Sequence, residues 1–487
     1  CSRFLSAPGS TLVSTAAEEL SLTTQVPGST ASANTPIRRI ATSSTSPVAF
    51  VLLLLLLLSF LGTVDASCLS CSAPATALLL LLLNFNPTTV TAQDPATVYV
   101  DAASTYSGSD CGATLQTACA TIELGNERVE SGGTVLIQPG RYLRNSVDAM
   151  SVATNNVTFR AADARSDATV VDGGDGVSSC WRIDQRSDVA LEGLTFTGCK
   201  CDASQGDKGS GAVAIYNSET VSIARCTFRD FKGCSPSGKN YYAGAVSALE
   251  GGYTVSVHDC SFFNSGSYSI ALYRASLQVQ DSTFQDNSDT ALVSIGSNNE
   301  ISIDNCTFLN VGTAIRKEGP SPVLVRRSTF RNTAIVVSLA FCSLSGVTMT
   351  IEDSWIDGGA AIRVTYRCGL AIVQSTISNT NGRVAYVQSN SLLVMTNVTV
   401  TDCKQVGDPF GLILARDSSR VVASGTTFNK NVASSGGVMY LDKSSATVEG
   451  GVWDGNTAID DGGTVLCSAC TVSFTGTAFR NNRAGGK

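Results

Sequence analysis

The chain has 487 residues, 43% of them hydrophobic and 15% charged, with a formal net charge of −7. This balance is too apolar and too weakly charged for a disordered chain. The acidic surplus, with no basic block, excludes a nucleic-acid partner held by phosphate contacts. It also weighs against a polyanionic substrate unless a cation bridges. A single histidine, His258, excludes multi-histidine metal centres.

Residues 1–47 are rich in Ser, Thr, Ala and Pro and read as a disordered segment. Residues 48–92 form a leader region. It holds an apolar run from Val48 to Val64, with seven consecutive leucines, and a shorter run from Leu78 to Leu83. Both runs fall short of the roughly 20 residues a spanning helix needs. The small-residue stretch Val90-Thr91-Ala92-Gln93 suits a signal peptidase. The region therefore reads as a secretory signal, with a signal anchor as the alternative. The chain opens on Cys1, has its first methionine at Met150 and stops within a repeat, so it reads as a fragment at both ends. Seventeen cysteines fit an exported protein better than a cytosolic one. Three sequons, at Asn156, Asn305 and Asn397, are candidate glycosylation sites.

Residues 151–487 read as the repeat region, and from about residue 190 one pattern recurs: an alternating apolar stretch, a small or polar pair, then a large apolar residue, often followed by Asn. The marked positions are Phe196, Phe228, Phe262, Phe284, Phe308, Phe330, Ile356, Ile377, Val400, Phe428, Trp453 and Phe479. A second alternating stretch, such as Ala361-Ile362-Arg363-Val364, falls within each unit. Period-two alternation means strands with one buried face. A single unit cannot fold alone. Each buried Val, Ile or Phe contributes roughly 1.5–3 kcal/mol, and ordering each residue costs about 1–2 kcal/mol. Stacked units solve this, because each covers its neighbour's apolar face. The fold class is therefore all-β, a parallel β-helix (solenoid) of about 12–13 rungs. At a strand spacing of about 4.8 Å it forms a rod of roughly 60 Å. Asn287, Asn310, Asn332, Asn379, Asn431, Asn456 and Asn482 follow the marked positions and predict a partial structural Asn ladder.

Phe428-Asn429-Lys430-Asn431 with Gly436-Gly437, Trp453 to Asn456 with Gly462-Gly463, and Phe479 to Asn482 with Gly485-Gly486 resemble the FxxN and GGA repeats of polymorphic outer membrane proteins. The match is good over 425–487 and loose over 190–424. Val98 to Asp101 with Gly132 to Tyr142 resembles the cap of pectin-lyase-like right-handed β-helices. These resemblances firmly imply a right-handed single-stranded coil with residues 93–150 as its N-terminal cap, and an activity weakly, because such folds serve both enzymes and adhesins.

The resemblance implies acidic residues on Ca²⁺ and an Arg or Lys base for a polyuronide lyase. Trp355-Ile356-Asp357 is similar to a WIDH segment, but Gly358 replaces the fourth residue, and Trp355 and Ile356 sit in the core register. The GHG segment of polygalacturonases is absent around His258. Asp460-Asp461 leads into Gly462-Gly463 like a turn, and Asp172 to Gly176 reads as a tight turn with calcium binding as its alternative. No other metal or cofactor is expected.

Disulfide candidates are Cys111 with Cys119, Cys342 with Cys368, and Cys467 with Cys470. Cys226, Cys260 and Cys306 occupy one repeat column and are expected to stack in the core. Two irregular insertions carry the candidate ligand-binding residues Lys200, Asp202, Asp207, Lys232, Lys239, Tyr241 and Tyr242, with Lys208 beside them. The functional expectation is a secreted or cell-surface β-helix in adhesion or glycan binding, without catalysis. The alternative is a polysaccharide lyase or hydrolase acting on acidic polysaccharide. The expected partner is an extracellular glycan or cell-surface protein, with a membrane anchor as a further possibility.

Overall fold

The computed structural model describes residues 96–144, 149–163, 165, 167–174, 179–199, 211–231, 244–251, 253–297, 300–343, 346–359 and 361–485. Each turn of the chain contributes one strand to each of three parallel sheets. Sheet 1 has thirteen strands, from Met150–Ser151 to Val465–Ser468. Sheet 2 has fifteen, from Thr97–Val100 to Thr471–Thr475. Sheet 3 has fourteen, from Gly140–Leu143 to Ala478–Arg480. A fourth sheet of four two-residue strands, starting at Lys404–Gln405, joins the later turns. The fold is the expected all-β parallel solenoid. Among the described residues the one α-helix is Ile122–Arg128, with Thr121 as its N-cap accepting from the Leu124 amide. Gly125 lets this helix seat on the first strand, because a Cβ there would lie 2.5 Å from Val100 Cγ2.

The marked positions lie in register on sheet 3, and Tyr142 and Val171 extend the same column toward the N-terminus. Six phenylalanines, from Phe196 to Phe330, stack face to face with centroids 4.8–5.1 Å apart. Trp355 departs from the core register expected of it. Ile356 points inward and is buried, whereas Trp355 is 44% exposed on the outer face. Adjacent residues of a strand face opposite sides, so only one of the two can enter the core. The Trp355 indole donates to Ser378 Oγ at 3.1 Å.

The asparagines divide between two columns. Asn431, Asn456 and Asn482 form a ladder in which each Nδ2 donates along the column or to a backbone carbonyl at 2.7–3.0 Å. Asn431 and Asn456 are fully buried, as is Asn287 in the equivalent position. Asn310, Asn332 and Asn379 sit one residue earlier in the turn, exposed and with left-handed φ of 50–53°. A one-residue difference in turn register moves the amide from core to solvent. The Gly pairs have a steric cause. A Cβ on Gly437 would lie 2.3 Å from the Gly463 carbonyl oxygen, and one on Gly485 would lie 2.2 Å from that of Ile459.

The structure pairs Cys111 with Cys119, Cys342 with Cys368 and Cys467 with Cys470, and adds Cys180 with Cys199. Cys226, Cys260 and Cys306 are buried free thiols in one column, continued by serines. The Cys226 amide donates to Cys260 Sγ, the Cys260 amide to Ser282 Oγ, and the Cys306 amide to Ser328 Oγ. Burial pushes the Cys306 thiol up to about 12 and raises that of Cys260, which disfavours their thiolate forms.

The most deeply buried charged side chain among the described residues is Lys317. Lys317 follows the inward parity of Ile315 and packs between the levels of Ser294 and Leu339. It is 1% exposed, and its Nζ donates to the carbonyls of Gly296 and Glu318 at 3.2 and 3.0 Å. Burial lowers its pKa to about 8. The unfolded chain keeps that proton up to the ordinary value of 10.5. Between these pH values the unfolded state binds more protons than the folded one, so stability rises with pH across the window. Below about pH 8 the desolvation cost is fully present, on the order of 3 kcal/mol. Lys317→Met is therefore expected to be more stable than wild type at pH 7, with the difference shrinking by pH 10. Urea unfolding of both proteins at the two pH values measures this, and a gap that does not depend on pH would refute it.

Candidate functional site

The outer face of sheet 1 holds a cleft of about 500 Å³, lined by Ser338, Ala361, Arg363, Thr365, Arg383, Tyr386, Gln405 and Asp408. Its floor follows from strand register. Ser338, Arg363 and Tyr386 are in-register neighbours on three successive strands, with Leu414 next. They face outward because Ile362, Val364, Ala385 and Val387 take the inward positions. One wall is the segment from Gln405 to Gly411, where the unit between Val400 and Phe428 is longer than the unit before it. Gly407 turns it with φ +98°, and the Phe410 amide closes on the Asp408 carbonyl at 2.7 Å.

The segment brings Asp408 onto Arg383, an ion pair in which the Arg383 side chain is 18% exposed and Asp408 is 41% exposed. Phe410 lies between two guanidinium groups, Arg383 at 5.6 Å and Arg416 at 4.3 Å from its ring centroid. Arg383 also lies 5.5 Å from the Tyr386 ring, and Tyr440 meets Phe410 edge-on. Cation–π contacts of this kind hold a guanidinium in place without consuming its hydrogen-bond donors. The Nε atoms of Arg383 and Arg416 are buried without a hydrogen-bond partner. Desolvation lowers the Arg383 pKa, partly offset by Asp408. Arg363 has no ion pair among the described residues, and its guanidinium stands open on the cleft floor. The Tyr386 hydroxyl donates to Gln388, whose amide donates to Asp417 at 2.8 Å.

The net charge of −7 argued against an anionic ligand, and this cleft reverses that expectation locally. Two arginines, Arg363 and Arg383, line it with a single carboxylate, and Arg416 packs on Phe410 in its wall. Net charge is a sum over the whole surface, whereas a ligand meets the local field. Arginine forks bind carboxylates in bidentate fashion, so the arrangement suits an anionic sugar or similar polyanion. Bridging calcium does not fit. Asp408 alone supplies carboxylate to the lining and is held by Arg383, and no group of three His, Cys, Asp or Glu side chains able to hold a metal occurs among the described residues. In the Asp172 to Gly176 run, Asp172 pairs with Arg141 and accepts from the Gly174 amide, and Asp175 and Gly176 lie outside the described residues.

The seven ligand-binding candidates, Lys200, Asp202, Asp207, Lys232, Lys239, Tyr241 and Tyr242, lie outside the described residues. His258 is outward on sheet 2, with Nδ1 3.5 Å from Asp259. Asp460 and Asp461 are exposed. Asn156, Asn305 and Asn397 are exposed at left-handed turn positions. His258, Asp460, Asp461, Asn156, Asn305 and Asn397 do not line the cleft. The sequence did carry two signs of it: an arginine at an alternating position within Ile362-Arg363-Val364, and the longer unit containing Asp408-Pro409-Phe410.

A family model described as "Right handed beta helix region" matches residues 144–330, 244–408 and 313–486. The chain therefore belongs to the right-handed β-helix family. No curated protein matches the sequence. Among solved structures, it is similar to the catalytic unit of a thermostable GH87 α-1,3-glucanase from Streptomyces thermodiastaticus strain HF3-3. The TM-score is 0.46 and the identity 14%, over 73% of this chain and 65% of that one. It is also similar to the A-module of a mannuronan C-5 epimerase from Azotobacter vinelandii, at TM-score 0.39 and 15% identity over 72% and 91% of the two chains. A third is a mannuronic acid specific family 6 lyase from human gut microbiota, at 0.43 and 11% over 67% and 81%. The chain thus spans just under two thirds of the glucanase unit.

The cleft geometry makes a prediction for stability. Asp408→Asn is expected to cost no more than about 1 kcal/mol, because Asp408 is partly solvated. Arg383→Ala also removes packing on Phe410 and Tyr386 and is expected to cost about 2 kcal/mol. Chemical denaturation of both variants measures the two losses. Equal losses would mean that the aromatic contacts contribute nothing.

Proposed function

We propose that this is an exported carbohydrate-binding β-helix that holds an acidic, uronate-type polysaccharide in the sheet 1 cleft. One observation carries the reading: Arg363, without an ion-pair partner among the described residues, lies on an outward column between Ser338 and Tyr386, with the aromatic-clamped Arg383 beside it. A uronate carboxylate would take the guanidinium forks, and Tyr386 and Gln405 would serve the ring hydroxyls. Four disulfides and three exposed sequons support export, at the cell surface or free in the medium. No helix among the described residues is long and apolar enough to cross a membrane.

Cleavage of the bound chain is a second reading, and the paired guanidiniums favour elimination over hydrolysis. Neutralising a uronate carboxylate acidifies the adjacent C–H, the first requirement of eliminative cleavage. Hydrolysis by two carboxylates lacks its second group among the described lining residues.

Titration calorimetry with polygalacturonate, alginate and a neutral glucan tests the binding reading. Wild type is expected to bind an acidic polymer, with affinity falling as salt rises. Arg363→Gln is expected to weaken it about tenfold or more. Equal binding of the neutral polymer, or an unaffected Arg363→Gln variant, would sink the reading. Appearance of an unsaturated product by ultraviolet absorbance would establish the eliminative form.

A further inference from the structure

Beyond the cleft, at the turn that leaves sheet 1, two aromatic rings stand in solvent. Phe341 is 62% exposed and Tyr366 is 54% exposed. Their rings stack with centroids 4.8 Å apart and planes 7° from parallel. With Ser343, Arg367, Ser389 and Asn390 they border a surface hollow of about 330 Å³.

Two features set this pair apart from ordinary surface aromatics. The first is backbone conformation. The fold requires a left-handed residue where each strand leaves sheet 1, and the other turns fill that position with residues such as Asn217, Arg274, Gly296, Gly319 and Lys443. At two successive turns the position is Phe341, with φ +58°, and Tyr366, with φ +54°. A bulky aromatic is poorly suited to this conformation, and Gly or Asn would be easier. Strain held in an exposed, apolar position points to use and not to stability. The second feature is rigidity. Cys342 and Cys368, each one or two residues beyond the rings, form a disulfide between the two turns, and the Cys342 amide also donates to Cys368 Sγ at 3.1 Å. The pair is thus fixed to its scaffold from beneath.

Its position gives the occupant. Thr365 lines the arginine cleft and Tyr366 lines the hollow, so the two sites adjoin along one stretch of chain. Arg363 and Tyr366 are three residues apart, at most about 10 Å along an extended strand. We propose that the Phe341–Tyr366 pair is a stacking platform for a further pyranose ring of the polysaccharide held in the cleft. The apolar C–H face of the sugar packs on the face of the Tyr366 ring turned away from Phe341, which backs it, and Arg367, Ser389 and Asn390 meet its polar edge. This inference rests on the carbohydrate reading of the cleft and extends it to a longer ligand.

The test compares a galacturonate disaccharide, too short to occupy both sites, with a hexasaccharide, using the full chain in titration calorimetry. Wild type is expected to prefer the hexasaccharide. Tyr366→Asn and the double variant Phe341→Gly with Tyr366→Asn are expected to lose that preference, with hexasaccharide affinity about five- to tenfold weaker and disaccharide affinity unchanged. Tyr366→Phe should retain it. Because Asn and Gly suit the left-handed backbone, the same variants should melt no lower than wild type, which separates lost stacking from lost folding. Unchanged hexasaccharide affinity in the double variant, with Arg363→Gln still weakening both sugars, overturns the platform and leaves the cleft reading standing. If wild type binds neither these sugars nor the corresponding alginate oligosaccharides, the cleft reading fails and the platform fails with it.

Discussion

Each strand of this protein lies one hydrogen-bonded spacing from its counterpart in the next turn, and that spacing governs every side chain the solenoid can accept. A residue at a given position has the equivalent residue of the neighbouring turns directly above and below it. Like therefore stacks on like. The phenylalanine column, the cysteine–serine column and the buried asparagine ladder are three solutions to the same constraint. Rings interlock face to face at the strand spacing, thiols and hydroxyls pass a hydrogen bond along the column, and carboxamides do the same with both donor and acceptor. Lys317 is the exception that shows the strength of the constraint. Its place in the strand forces it inward, and only two nearby carbonyls receive its ammonium.

The same constraint organises the outer faces. On sheet 1 it aligns Ser338, Arg363 and Tyr386 as a column, and where the stacking continues into the turn it aligns Phe341 with Tyr366. A repeating scaffold of this kind suits a repeating ligand, since groups recur along both. Specificity then comes from departures from the repeat. The Gln405–Gly411 segment is such a departure. It carries Asp408 and Phe410 onto Arg383 and Arg416, and so turns an open sheet face into a walled, cationic cleft.

Several site features were invisible in the sequence for a physical reason. Arg363, Arg383 and Arg416 come from three successive turns, and only the turn-to-turn register brings them together. Composition pointed the opposite way, because a net charge of −7 averages over a surface on which one face is locally basic. The seven asparagines looked like one ladder because their distance from the marked residue varies by one. That single residue separates a buried amide from an exposed one. Trp355 looked like core because its neighbour Ile356 is core, and the strand alternation that places one of them inside places the other outside.

The sequence alone was enough for the architecture. Period-two alternation, a recurring large apolar residue and turns rich in Asn and Gly specify stacked coils of parallel strands, because no single unit buries enough surface to fold by itself. It also indicated three of the cysteine pairs, one of them, Cys342 with Cys368, because equivalent positions of adjacent units must be neighbours in space. The tertiary structure decided what the repeats could not express: which residues of neighbouring turns face outward together, how the longer unit folds back over them, and where a charge is paired or left open. Those relations depend on register and on the path of an irregular segment. A periodic pattern carries the average turn, and the site is built from the places where this chain departs from it.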